Sequence, residues 1–165
     1  MDALALTAEA LREPWRLWTG HLVHFGWEHA LTNAVALAVP WVLAAPEDRR
    51  RLALGMLLLP PLLSLLLLPS LGGGEYRGAS GLACAWWALV GLRLAGRRES
   101  RSVGWLMLSG LACKLAVEAA LGAGFLLRPE GWSTLPVAHN WGALLGLAAA
   151  LPRQGPLSWR RPRQT

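Results

Sequence analysis

Four side chains in this 165-residue chain have the types and spacing of an acyl-transfer centre. Ser80 lies in Gly78-Ala79-Ser80-Gly81, at the mouth of one apolar stretch, and His139 lies in Ala138-His139-Asn140-Trp141-Gly142, at the mouth of another. A third apolar stretch carries His29 and Asn33, one helical turn apart. A serine hydroxyl is a weak nucleophile until a base takes its proton, and histidine is the usual base because its pKa lies near the working pH. The acyl-transfer intermediate carries an oxyanion, which needs preorganised donors. His29, Asn33 and the backbone N–H of Ser80 are the candidates. No Asp or Glu occurs at matching depth in the stretches of Ser80 and His139, so the expected machinery is a Ser–His dyad.

The elements that must hold these groups read as membrane helices. Hydrophobic residues make up 54% of the chain and charged residues 16%, and the mean hydropathy is +0.36. Such low, clustered charge points away from a soluble domain. Five apolar runs have the length of a span, near 19–45, 52–71, 79–95, 103–126 and 135–151. Short connections and the absence of an internal repeat make 1–165 one all-α domain, a polytopic transmembrane helical bundle. Residues 1–18 form an outer interfacial segment and residues 152–165 a basic cytoplasmic tail suited to anionic headgroups.

The formal charge of +6 does not require a nucleic-acid partner, because its distribution follows the membrane. Arg49–Arg51, then Arg93, Arg97, Arg98 and Arg101, then Arg153, Arg160, Arg161 and Arg163 fall on one side. Arg12, Arg16, Arg77 and Arg128 fall on the other. The positive-inside rule places the arginine-rich side in the cytoplasm. Cys84 and Cys113 both fall inside spans and read as small core residues. Without CxxC or a His-rich spacing, neither a metal nor a cofactor is expected.

Depth supplies a geometric test. Asn33 to Glu47 is fourteen residues, Ser80 to Arg93 thirteen and His139 to Arg153 fourteen. At ~1.5 Å per residue each interval is about 20 Å, in a hydrocarbon core ~30 Å thick. All three groups therefore share a level about 10 Å below the outer surface. The loop Gly72-Gly73-Gly74-Glu75-Tyr76-Arg77-Gly78 must dip to meet Ser80, since irregular backbone at that depth has to be buried in protein or reached by water. Gly78 and Gly81 permit close approach. Gly142 and Gly146 give the helix of His139 a small face on which another helix can pack.

Taken singly, each feature has a structural reading. A serine in a membrane helix usually bonds its own helix, His29 and Asn33 can form an interhelical clasp, and small-residue faces are usually packing. Polar groups gathered at one level in a membrane favour function. Together they resemble the rhomboid intramembrane serine proteases. The likeness rests on Trp15-Arg16-Leu17-Trp18-Thr19 (the family's WRxxT), His24, His29-xxx-Asn33 (HxxxN), Gly78-Ala79-Ser80-Gly81 (GxSG) and Ala138-His139-xx-Gly142-xxx-Gly146 (AHxxGxxxG). The resemblance implies Ser80 as nucleophile, His139 as base, His29 and Asn33 as oxyanion donors, and a structural His24. It implies a serine endopeptidase acting on a transmembrane protein substrate in the lipid bilayer.

The short length and the Gly74–Gly78 run resemble the rhombosortase branch, whose members are thought to process exported bacterial proteins bearing a C-terminal Gly-Gly, hydrophobic helix and basic tail. That implies a bacterial inner membrane location, a cytoplasmic C-terminus and a site opening to the periplasm. Lys114 and Glu118 share a helix face and read as a structural ion pair or as a contact for the substrate tail or dipping loop. The family core has six helices and five are visible here, so an upstream first helix is expected; the alternative is a short N-terminal tail that is itself translocated. The rival function is a non-catalytic relative that binds transmembrane segments. Oligomeric state, the particular substrate and the choice between hydrolysis and transpeptidation are not encoded. Trp86, Trp87, Trp105 and Trp141 read as packing or lipid-facing. Trp15, Trp18, Trp27, Trp132 and Trp159 read as an interfacial belt, and Pro60-Pro61 as a kink.

Overall fold

A computed structural model describes residues 3–121 and 135–151. The tail from 152 onward, with Arg153 and Trp159, lies outside the described residues, as do Trp132, Arg128 and the end of the fourth apolar run. The helices are α1 (Arg16–Thr19), α2 (Trp27–Leu43), α3 (Pro46–Leu67), α4 (Ser80–Ala95), α5 (Arg101–Leu121) and α6 (Pro136–Ala150). Three of the five long helices fall within about two residues of the apolar runs at their described ends. The first run differs: α2 begins at Trp27, eight residues after the expected 19, and α3 starts at Pro46 rather than 52. Pro46 occupies the first helical position, and Glu47 and Asp48 fill the first turn, where proline costs no hydrogen bond and acidic groups meet the positive end of the helix dipole.

Among the described residues, α3 with its 3-10 extension (Pro46–Ser70) and α5 are long and apolar enough to cross a membrane, and α4 is a shorter apolar helix. Only 28% of the apolar stretch in the first and 22% in α5 is buried within the protein. A soluble core helix would be mostly buried; these helices present Leu54, Leu57, Leu58, Leu62, Leu65, Trp105 and Leu106 outward. An apolar surface of that extent needs lipid or another apolar partner. Cys113 belongs to this outward surface of α5, whereas Cys84 is buried; both are free thiols. The expectation of two core cysteines therefore holds for one, because position 113 turns to the outer face of its helix.

Helix α4 is the central element and packs on α2, α3, α5 and α6. Its contact with α6 is backbone against backbone. A Cβ at Gly142 would lie 2.0 Å from the Gly81 carbonyl oxygen, and one at Gly146 would lie 2.1 Å from that of Ala85. The two glycines are therefore needed for the approach, and they set the height of His139 against α4.

Prolines inside α2 and α3 each remove an N–H and leave the carbonyl four residues earlier without its helical donor. Pro40 orphans the Ala36 carbonyl, and the Trp87 indole N–H donates to it at 2.8 Å. Pro61 orphans that of Leu57, and the Trp18 indole N–H donates to it at 2.9 Å. Trp87 and Trp18 thus do more than pack or anchor: they replace the missing backbone donors. The site-proximal end is tied down further. Ser64 donates to the Leu17 carbonyl at 2.8 Å, and buried His21 places Nε2 3.0 Å from the Ser64 hydroxyl and 3.1 Å from the Pro60 carbonyl. Since the Ser64 proton goes to Leu17, its oxygen accepts from His21. The first residues are folded on as well, with Leu6 and Tyr76 exchanging backbone bonds of 3.0 and 2.9 Å.

At the opposite end of α4, buried Asp48 receives Arg93 at 3.1 Å and Arg97 at 2.9 Å. Arg97 also meets Glu47 at 2.6 Å. This joins the start of α3 to the end of α4 on the arginine-rich side. Arg49 donates to the Trp41 and Val42 carbonyls at 3.1 and 3.2 Å, serving acceptors that the end of α2 leaves unpaired.

Candidate active site

Ser80 is the first residue of α4, so its hydroxyl stands at the helix mouth and its N–H has no intrahelical acceptor. From α6, the buried His139 brings Nε2 to 2.9 Å from the Ser80 hydroxyl oxygen. The two residues are 59 positions apart, and the glycine contact between α4 and α6 is what closes that distance. The geometry is that of a nucleophile and its base in hydrogen-bond reach.

His29 and Asn33 come to the same place from α2. Gly78, two residues before Ser80, has φ +112°, a conformation that suits glycine. A Cβ there would lie 2.8 Å from His29 Nε2 and 3.4 Å from Asn33 Nδ2. Both nitrogens therefore border the backbone that leads into Ser80. The Phe25 N–H donates to His29 Nδ1 at 3.4 Å. That acceptor role leaves the ring proton on Nε2, the nitrogen facing Gly78. The His29 ring is stacked on Phe25 and edge-on to His24, which gives His24 a supporting role. Asn33 is buried and gives one amide proton to the His29 carbonyl at 2.9 Å, keeping a second for another acceptor.

Tyr76, in the loop outside the helices, also belongs here. Its hydroxyl oxygen is 3.4 Å from a Cβ placed on Gly81. Burial pushes the phenol up to about 12, so it stays protonated. No chemical pattern in the sequence singles Tyr76 out; the fold of the glycine-rich loop, pinned by the Leu6 backbone pair, puts it there.

Lys114 and Glu118 do form the expected ion pair, Nζ to Oε1 at 2.5 Å. They do not stand apart from the site. Glu118 Oε2 is 2.7 Å from His139 Nδ1, and Lys114 Nζ is 3.0 Å from the same nitrogen. A carboxylate therefore does reach the base, from α5 rather than from α4 or α6. The depth count could have found the pair: Arg101 to Lys114 is thirteen residues, the same interval that separates Ser80 from Arg93, and Glu118 lies one turn further along the same face. Among the described residues no cluster of metal-ligating side chains occurs.

The described residues form an all-helical fold that presents two long apolar helices outward and brings Ser80 and His139 into contact. The family model for the Rhomboid domain matches residues 11–154. Nothing matches this chain among curated proteins or among solved structures. With the match covering most of the chain, this protein belongs to the rhomboid family, whose members are intramembrane serine proteases acting on transmembrane substrates within a bilayer.

Proposed function

We propose that this protein is an active intramembrane serine endopeptidase using Ser80 as nucleophile and His139 as base. The observation that carries the reading is the 2.9 Å contact between His139 Nε2 and the Ser80 hydroxyl. In acylation the Ser80 proton passes to Nε2 while its oxygen bonds the scissile carbonyl carbon. The negative charge moves to the carbonyl oxygen, where His29 Nε2–H, the spare Asn33 amide proton and the Ser80 N–H serve as donors. Collapse of the intermediate breaks the C–N bond, and the proton on Nε2 goes to the departing amine. Water, activated by His139 in turn, hydrolyses the acyl-enzyme.

The substrate we infer is an exported protein whose C-terminus carries Gly-Gly, a hydrophobic helix and a basic tail, processed at the outer leaflet of a bacterial inner membrane. The rhombosortase-like Gly74–Gly78 run and the arginine asymmetry support it. On this reading all five long helices cross the bilayer, the short α2, α4 and α6 being flanked by dipping or interfacial segments.

A fluorophosphonate serine probe in liposomes tests the chemistry. Wild type is labelled, and Ser80→Ala and His139→Ala are not. Labelling that survives Ser80→Ala refutes the assignment. A folded wild type that takes no label points instead to a relative that binds transmembrane segments without cutting them.

A further inference from the structure

We propose that Glu118 is a positioning residue that orients His139, so that the catalytic unit is a Ser80–His139–Glu118 triad held neutral by Lys114. The inference rests on the Ser80–His139 reading and adds a third helix to it. Both oxygens of the buried Glu118 carboxylate are engaged, Oε1 by Lys114 at 2.5 Å and Oε2 by His139 Nδ1 at 2.7 Å. The approach of α5 is permitted by small side chains. Cys84, one turn beyond Ser80 on α4, packs with Ala88 and Ala143 against Leu111 and Leu115 of α5.

The chemistry turns on which ring nitrogen of His139 holds the proton. A carboxylate only accepts, and a lysine ammonium only donates. Paired with Glu118, Nδ1 must carry the hydrogen, and Nε2 is left as the acceptor that deprotonates Ser80. Paired with Lys114, Nδ1 must be bare, Nε2 carries the hydrogen, and the base is lost. The two neighbours of Nδ1 thus favour opposite tautomers, and the Glu118 contact is the shorter. Glu118 does not itself take the proton; it selects the working tautomer and opposes the positive charge that forms on the ring. Lys114 supplies the countercharge that a buried carboxylate needs.

The experiment compares wild type with Glu118→Gln and with the double variant Lys114→Met/Glu118→Met, which leaves neither an unpaired charge nor an acceptor for Nδ1 behind. The readouts are fluorophosphonate labelling kinetics in liposomes, resolved into kinact and KI, and the 15N signals of His139 in histidine-labelled protein, assigned by difference from His139→Ala. Both variants lose kinact by about tenfold or more, toward ~10²-fold, with KI little changed, and His139 moves toward the Nε2–H tautomer. A structural ion pair would lower stability but leave the tautomer and the kinact of the folded protein in place; a fall smaller than about tenfold in the folded double variant, or an unmoved tautomer, overturns the proposal. Ser80→Ala and His139→Ala run beside them. If these still label, the dyad reading itself has failed. If they are silent while Glu118→Gln labels at nearly the wild-type rate, only the triad has failed.

Discussion

Replacing Trp87 by Phe removes one hydrogen-bond donor from the interior and leaves the ring packing largely in place. Its indole N–H serves the Ala36 carbonyl at 2.8 Å, and that carbonyl lacks a helical donor because residue 40 is proline. An acceptor left unsatisfied away from water costs about 1–3 kcal/mol, and apolar surroundings offer it no replacement. Loss of the larger ring adds about 1 kcal/mol of packing. Trp87→Phe should therefore destabilise by about 2–4 kcal/mol. Pro40→Ala restores an N–H to the same carbonyl. In that background Trp87→Phe should cost only the packing share, so the cycle isolates a coupling of about 1–3 kcal/mol. Equilibrium unfolding of the four proteins in one detergent measures it. An equal cost for Trp87→Phe with proline or alanine at 40 would refute the capping argument.

Two further outcomes bear on the site. Asn33→Ala should slow fluorophosphonate labelling or cleavage of a Gly-Gly-tailed reporter by about 10–1000-fold, with the fold retained; an unchanged rate would remove Asn33 from the oxyanion donors. Gly142→Ala should separate α4 from α6, because its methyl would sit 2.0 Å from the Gly81 carbonyl oxygen. Thermal stability and labelling should fall together, while the same change at Gly110, where a Cβ meets nothing within 4 Å, should leave both near wild type.

What the sequence made legible is what it encodes locally. Ser80, His139, His29 and Asn33 stand in short motifs at the mouths of apolar runs, and near-equal counting distances to the next charged residues relate three of them in level. The glycines of α6 announced the tight contact that joins His139 to Ser80. The start of α2 was not legible, because apolar composition does not separate a helix from an irregular segment. Residues 20–26 are held by partners far along the chain: Gly20 by the Gly78 N–H at 2.9 Å and His21 by α3. The caps on Pro40 and Pro61 were half legible. Proline fixes which carbonyl is orphaned, but the donor that finds it comes from another helix.

Glu118 was passed over for a different reason. Glu118 lies on neither the helix of Ser80 nor that of His139, and it has a partner one turn away on its own helix. A local ion pair looks complete in sequence. In space it is not, because a carboxylate has two oxygens and only one is taken by Lys114. In a low-dielectric interior that arrangement has a physical logic. An ionised residue that orients a histidine is costly to bury alone, and a lysine on the same helix face at i−4 is the shortest route to compensation. The same side chain that permits the charge also competes for Nδ1, which is why the tautomer of His139, rather than the presence of the ion pair, is the property that decides what α5 contributes to the site.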